Sequence, residues 1–176
     1  METMIKNTGL NNQKNKFSAV PVQLCSFRLA ERLFGVNIKD VKEISSNIAI
    51  TPIFHAHSFI DGYMNIRGQI HLVVNLRKAY GFESRPIDEY TRVIIFKNTV
   101  DEAFGIIVDS VADVIDTTED MIVDRRESED DSGLDNAIRE KRRSLRTLTV
   151  GVCRLENKLM VVLNAFGILD AVEEKK

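Results

Sequence analysis

Three histidines, two cysteines, a set of aspartates and one oddly placed arginine are the residues of this 176-residue chain whose types could do chemistry. His55, His57 and His71, in "HAHSFIDGYMNIRGQIHL", offer imidazoles at H-x-H spacing, with Asp61 nearby. That pattern would be the start of a metal-dependent enzyme. Zinc sites usually combine four well-placed ligands, however, and H-x-H alone does not supply them. The plain reading makes His55 and His57 loop residues and His71 a strand residue facing water. Cys25 and Cys153 lie in apolar, strand-like runs and read as small buried hydrophobes in a reducing compartment. Asp109, Asp113 and Asp116 fall on what would be one acidic helix face, a solubilising pattern rather than a catalytic carboxylate pair. A nucleophile needs a base beside it and a third group to orient the base. The chain has no G-x-S-x-G elbow, no P-loop and no dinucleotide fingerprint; its nine glycines are scattered one per turn. No cofactor is expected.

Arg67 is left, in "GYMNIRGQIHLVVNL", at the mouth of an apolar strand and flanked by Asn65 and Gly68. Three readings stand side by side: a solvated turn residue, a cap on internal carbonyls, or an anchor for another protein. Arginine suits the last because its planar fork makes several hydrogen bonds while its stem packs on apolar surface.

The elements that must position these residues are mostly short strands. "VQLCSFRL" places Cys25, Phe27 and Leu29 on one face, and "AERL" turns it into "FGVNI" as a hairpin. Ile38, Val41 and Ile44 in "IKDVKEI" recur at helical spacing and predict a turn or two of helix. "NIAITPI" is extended, since Pro52 disfavours helix before it. "FIDGYMN" and the strand from Ile70 follow, then a short helix "LRKAYGF" stopped by Gly81. "RVIIFK" and "AFGIIVD" form a second hairpin around "NTVDE". Val111, Val114 and Ile115 in "SVADVIDTTEDMIV" again stand at helical spacing. A third hairpin, "TLTVGVCRL" with "LMVVLN", precedes an amphipathic "AFGILDAV". The expected fold class is all-β, mainly strands with short helices, in a barrel or sandwich.

Residues 1–16 are rich in Asn, Lys and Gln and read as a disordered tail. The folded domain spans 17–172, with a charged loop and helix insert near 124–146 and a charged end at 173–176. The net charge of −2 gives no electrostatic case for nucleic acid. No run approaches the ~18 apolar residues of a membrane span, and the N-terminus has no signal-peptide core. A cytoplasmic protein without direct membrane insertion is expected.

In order along the chain, "FGVNI", "VKEI", "TP", "GYMNIRG", "VVNLR", "GIIVDSV" and "TVGVCRL" resemble the motifs of the CheW-like coupling proteins of bacterial chemotaxis, from about Val22 to Ala171. The resemblance implies two SH3-like five-stranded β-barrels packed side by side. It implies a non-enzymatic adaptor that joins the cytoplasmic tip of a chemoreceptor to the regulatory domain of a CheA-type histidine kinase. By the same resemblance Arg67, Asn65 and Glu43 match receptor-contact positions, with Ile38, Val41 and Val93 supplying apolar area. Val41 and Gly62 match positions implicated in coupling to receptor or kinase. The receptor's helical hairpin would lie in the groove between the barrels, and the protein would be recruited to receptor arrays. Phe54 and His57 stand where the family often has proline, Leu72 replaces another common proline, Asn75 a common aspartate, and Ile66 the leucine of "NLRG". These departures set a second reading beside the first: a coupling protein of a non-flagellar pathway, such as one controlling pili, with altered partners.

Overall fold

Strands that must bury both faces read as unbroken apolar runs rather than as alternating ones, and "LVV", "RVIIF" and "FGIIV" are such runs. In a computed structural model, which describes residues 19–97, 103–124 and 146–173, these runs are the centre of a mainly β architecture. The strands are β1 (Pro21–Leu29), β2 (Arg32–Asn37), β3 (Val41–Ser45), β4 (Ile50–Thr51), β5 (Ile60–Ile66), β6 (Gln69–Asn75), β7 (Arg92–Phe96), β8 (Phe104–Val108), β9 (Ser110–Thr118), β10 (Ile122–Val123), β11 (Thr149–Arg154) and β12 (Leu159–Leu163). Helix α1 (Leu76–Tyr80) follows β6, and α2 (Ala165–Glu173) follows β12.

Two six-stranded sheets result, in the orders β10-β11-β12-β2-β1-β9 and β3-β7-β8-β6-β5-β4. In both, the two edge strands are neighbours in the chain. Glu119–Met121 joins β9 to β10, and residues 46–49 join β3 to β4. Side chains cross each seam: the Thr117 hydroxyl meets Cys153 Sγ at 3.5 Å, and Lys42 Nζ donates to Gln69 Oε1 at 2.9 Å. The sheets therefore curl into two barrels, as the family resemblance implies. Each has six strands rather than five, because a long edge breaks at a turn and leaves a two-residue strand, β4 or β10.

The two barrels exchange segments. Among the described residues, Pro21–Tyr80 and Arg92–Glu173 each run through three strand pairs and close on a helix, the second half also carrying helical residues 146–148 before β11. Each half gives its first hairpin to one barrel and its other four strands to the other. The halves echo in sequence: Phe34-Gly35 of β2 and Phe104-Gly105 of β8 lie parallel to Val161-Val162 and Leu72-Val73 respectively. Asn75 and Asn164 both accept a backbone N–H of the helix that follows, from Lys78 at 3.2 Å and from Phe166 at 3.1 Å.

Strand alternation then sorts the apolar side chains into three cores. Cys25, Phe27, Phe34, Leu72, Val74, Ile94, Phe96 and Ile106 form a central core between the barrels, with Leu163, Ile168 and Leu169. Met64, Val73, Val93, Ile95 and Ile107 fill the second barrel, and Leu24, Cys153, Met160 and Val162 fill the first. At roughly 1.5–3 kcal/mol for each large aliphatic or aromatic side chain buried, the central core is the main force that holds the barrels together. Both cysteines are buried free thiols, and burial pushes the Cys25 thiol above its ordinary value.

Two local expectations are overturned. "IKDVKEI" is a single 3₁₀ turn (Ile38–Asp40) and then strand β3, and "SVADVIDTT" is strand β9 rather than helix. A bulge explains the helical spacing in β9, whereas Ile38 lies in the turn before β3 and Ile44 on the exposed face of that strand. The pairing of β3 with β7 shifts between Val41 and Glu43, and that of β9 with β1 shifts opposite Cys25 and Phe27. In β9 the shift resets the two-residue alternation, so Val111 reaches the central core and Ile115 the core of the first barrel; β3 keeps its alternation, with Val41, Glu43 and Ser45 half-buried and Lys42 and Ile44 exposed. The expected tail 1–16, most of the insert 124–146 and the turn of "NTVDE" lie outside the described residues.

Candidate protein-binding site

A type I′ two-residue hairpin loop has positive φ at both positions, a backbone twist that matches the flanking strands. Between β5 and β6 those positions are Arg67 (φ 51°) and Gly68 (φ 86°). Glycine adopts this conformation freely; arginine does so at a cost of ~1–2 kcal/mol. Asn65 closes the turn, its Oδ1 accepting the Gly68 N–H at 2.8 Å. The strained turn thus holds Arg67 at an exposed tip.

Across the barrel seam, Arg67 Nη2 lies 3.0 Å from Glu43 Oε2 on β3, with the arginine side chain 85% exposed and the glutamate 24%. Beside this pair, Lys42 of β3 reaches Gln69 of β6. Glu43 of β3 joins Asn65 and Arg67 of the β5–β6 hairpin around a surface concavity of about 310 Å³ that Ile44, Ser46 and Asn47 also line. Ile38 and Val41 are half-buried and pack against the central core. They place apolar surface at the start of β3, whose next residues carry Lys42 and Glu43.

Gly62 and Val93 stand differently. Gly62 is buried at φ 147°, and a Cβ there would sit 2.1 Å from the Thr51 carbonyl oxygen, so the close approach of β4 to β5 depends on it. Val93 is fully buried inside the second barrel. It offers a partner no surface, and its expected share in a receptor contact is withdrawn.

The histidines do not gather. His55 is exposed in the loop between β4 and β5, at φ 61°; the His57 ring lies 4.1 Å from that of Phe59. His71, expected to face water, is fully buried on β6. Both faces of this strand are covered, one by the central core and one by the second barrel, so no polar face exists for it. Among the described residues no cluster of three or more His, Cys, Asp or Glu side chains is arranged to hold a metal.

Nothing in the sequence pairs Asp109 with Arg77, yet they form the most buried ion pair among the described residues. Asp109, expected on a solvated acidic face, is 8% exposed. Its Oδ2 accepts from Arg77 Nη1 at 2.5 Å and from the Ala30 N–H at 2.7 Å. Arg77 Nε donates to the Glu83 carbonyl at 2.7 Å. The cluster ties α1, the β1–β2 turn and the β8–β9 crossing between barrels. The departure at Asn75 has a local role: its Nδ2 donates to Asp61 Oδ2 at 2.8 Å, while Asp61 also meets Lys78 Nζ at 2.6 Å. Leu72, in a common proline position, uses the N–H that proline lacks to reach the Ala103 carbonyl at 2.8 Å.

Exposed arginine, a strained turn and an adjoining apolar strand form a surface suited to gripping another protein. Comparison with known proteins identifies the family. The family model described as CheW-like domain matches residues 23–173. The chemotaxis protein CheW of Treponema pallidum is 34% identical over 103 residues, 57% of this chain and 61% of that protein, so the match spans less than two thirds of its length. That of Bacillus subtilis is 26% identical over 144 residues, covering 82% of this chain and 84% of the relative. Among solved structures, the scaffolding protein TtCheW from Thermoanaerobacter tengcongensis aligns with a TM-score of 0.67 at 28% identity, over 82% of this chain and 90% of that one. With the family model covering most of its length, the chain belongs to the CheW-like domain family.

Proposed function

We propose that this protein is a non-enzymatic adaptor that couples the cytoplasmic tips of chemoreceptors to the regulatory domain of a CheA-type histidine kinase. The chemotaxis relatives and the scaffolding role of the structural neighbour support the class of function. The observation that carries it onto named residues is the Glu43–Arg67 pair. A surface ion pair contributes only ~0–1 kcal/mol to stability, so the positive φ of Arg67 is not offset by the pair alone. Backbone strain retained at an exposed tip is the pattern of a binding site. One contact through Nη2 uses only part of the five-donor fork, and the rest can take carboxylates or carbonyls of a helix that lies along β3.

In this reading Ile38 and Val41 supply buried apolar area, Arg67, Glu43 and Asn65 set register, and Gly62 acts indirectly by letting β4 and β5 approach. No helix among the described residues is long and apolar enough to cross a membrane. The adaptor role itself puts the protein in the cytoplasm, reaching the membrane by recruitment to receptor arrays. The test is a pulldown with a receptor cytoplasmic-tip fragment. Arg67→Glu sets two carboxylates against each other and is expected to weaken binding at least about tenfold, the ~1.4 kcal/mol or more that a hot-spot arginine carries. Undiminished capture by a folded Arg67→Glu protein would remove the receptor assignment from this turn.

A further inference from the structure

His71 is an expensive residue for the place it holds. Its ring is fully buried on the face of β6 that it shares with Val73, opposite Met64 of β5, and both neighbours belong to the core of the second barrel. Nδ1 lies 3.0 Å from the Gln69 carbonyl oxygen. Nε2 has no hydrogen-bond partner among the described residues. A carbonyl oxygen only accepts, so Nδ1 carries the proton, and in the neutral ring Nε2 is then a bare acceptor among apolar side chains. A buried group left unpaired weakens a fold, and an apolar side chain of similar shape would avoid the loss. The barrel itself is therefore not what benefits from the imidazole.

The Nδ1 contact leads to the binding turn. Gln69 is the first residue after Arg67-Gly68, its carbonyl held by His71 from inside the barrel and its side-chain oxygen by Lys42 from outside at 2.9 Å. Lys42 is next to Glu43, Glu43 holds Arg67 at 3.0 Å, and Asn65 closes the turn onto Gly68 at 2.8 Å. These contacts run as one ring from β3 to the turn and back, and His71 anchors it to the interior.

We infer that His71 is a positioning residue for the Arg67 turn, held in the Nδ1–H form to fix the Gln69 carbonyl and so the direction in which Arg67 is presented to a partner. This rests on the receptor-contact reading of Arg67, and the test separates the two. In the full-length protein, long-range proton–nitrogen spectra should show His71 with a protonated Nδ1 and a bare Nε2. His71→Val should melt at the same temperature as the wild type or higher, yet bind a receptor-tip fragment about fivefold more weakly, the loss of roughly one hydrogen bond's worth of order in the turn. His71→Gln, whose amide can again donate to the carbonyl, should melt lower and bind more nearly like the wild type. Stability and binding thus move in opposite directions, which a purely structural role would not produce. An Nε2–H tautomer, or melting and binding that fall together in His71→Val, would overturn the inference. So would unchanged binding in His71→Val while Arg67→Glu abolishes it. If Arg67→Glu itself binds normally, the receptor reading fails, and the tautomer together with the Arg67–Gln69 amide shifts in His71→Val still decides whether His71 fixes the turn.

Discussion

Replacing Arg77 with methionine tests how the two barrels are held in register. The substitution keeps most of the apolar stem and removes the guanidinium that sits 2.5 Å from Asp109, where the side chains are 16% and 9% exposed. Breaking a buried pair by removing one partner costs ~3–5 kcal/mol, because the other charge is left without compensation. Two features put Arg77→Met at the lower end. Asp109 keeps the Ala30 N–H at 2.7 Å, and Arg85 Nη1, at 3.9 Å, is near enough to swing closer. A loss of about 3 kcal/mol is a large share of the roughly 5–15 kcal/mol that holds a domain of this kind together. With a urea dependence of ~2 kcal/mol per molar, the midpoint should fall by about 1.5 M. Equilibrium urea unfolding followed by circular dichroism measures it. Asp109→Leu alone should be comparably damaging, while the double variant Arg77→Met/Asp109→Leu should recover part of the loss, since an apolar pair leaves no buried charge. A midpoint shift under ~0.3 M for Arg77→Met, or costs that simply add in the double variant, would show that the pair behaves as a surface contact and does not pin the crossing.

Two further outcomes follow from local geometry. Gly62→Ala should lower the melting temperature sharply and weaken partner binding in step with it, because its Cβ would meet the Thr51 carbonyl at 2.1 Å in a backbone conformation at φ 147°; a variant with wild-type melting that still fails to bind would make Gly62 a direct contact instead. Burial pushes the Asp40 carboxyl above its ordinary range, with Lys97 opposing, so the native state holds that proton more tightly than the unfolded chain. The associated stability is present in acid and lost as pH rises through the raised value, which predicts that Asp40→Asn gains melting temperature at pH ~7 and that the gain disappears below pH ~4; thermal melts at the two pH values decide it.

Much of the fold is legible in the sequence because its strands are bounded by strong signals. Gly81 ends α1 in the left-handed region after Asn75 caps its start, and the hairpins at Ala30-Glu31 and Arg67-Gly68 sit between apolar runs. The two misread segments have different physical causes. Period-two alternation reports a strand only while the strand faces a single core in steady phase, whereas β9 is an edge strand with a bulge and serves two cores. Ile38, Val41 and Ile44 mimic a helix because a 3₁₀ turn, an inward strand position and an outward one happen to fall three residues apart. The burial of His71 is hidden for the related reason that a strand covered on both faces has no polar side to assign. Of the site, Arg67, Asn65 and Glu43 emerge from ordered motifs, yet only barrel closure brings Glu43 to Arg67. Asp109 looks like one of three solvated acids, since nothing local marks it as the partner of Arg77 across 32 positions. Val93 is misplaced by sequence alone because an apolar residue in an apolar run does not declare whether it lines a surface or a core.

An adaptor must bridge two partners at once. Vesicles that carry receptor cytoplasmic tips, mixed with the regulatory domain of a CheA-type kinase and sedimented with and without the protein, measure that bridge. The kinase domain should pellet only when the protein is present, and Arg67→Glu, folded and still able to bind the kinase domain in solution, should leave it in the supernatant. A kinase domain that stays in the supernatant with the wild-type protein, or that pellets equally well with Arg67→Glu, would contradict the adaptor reading.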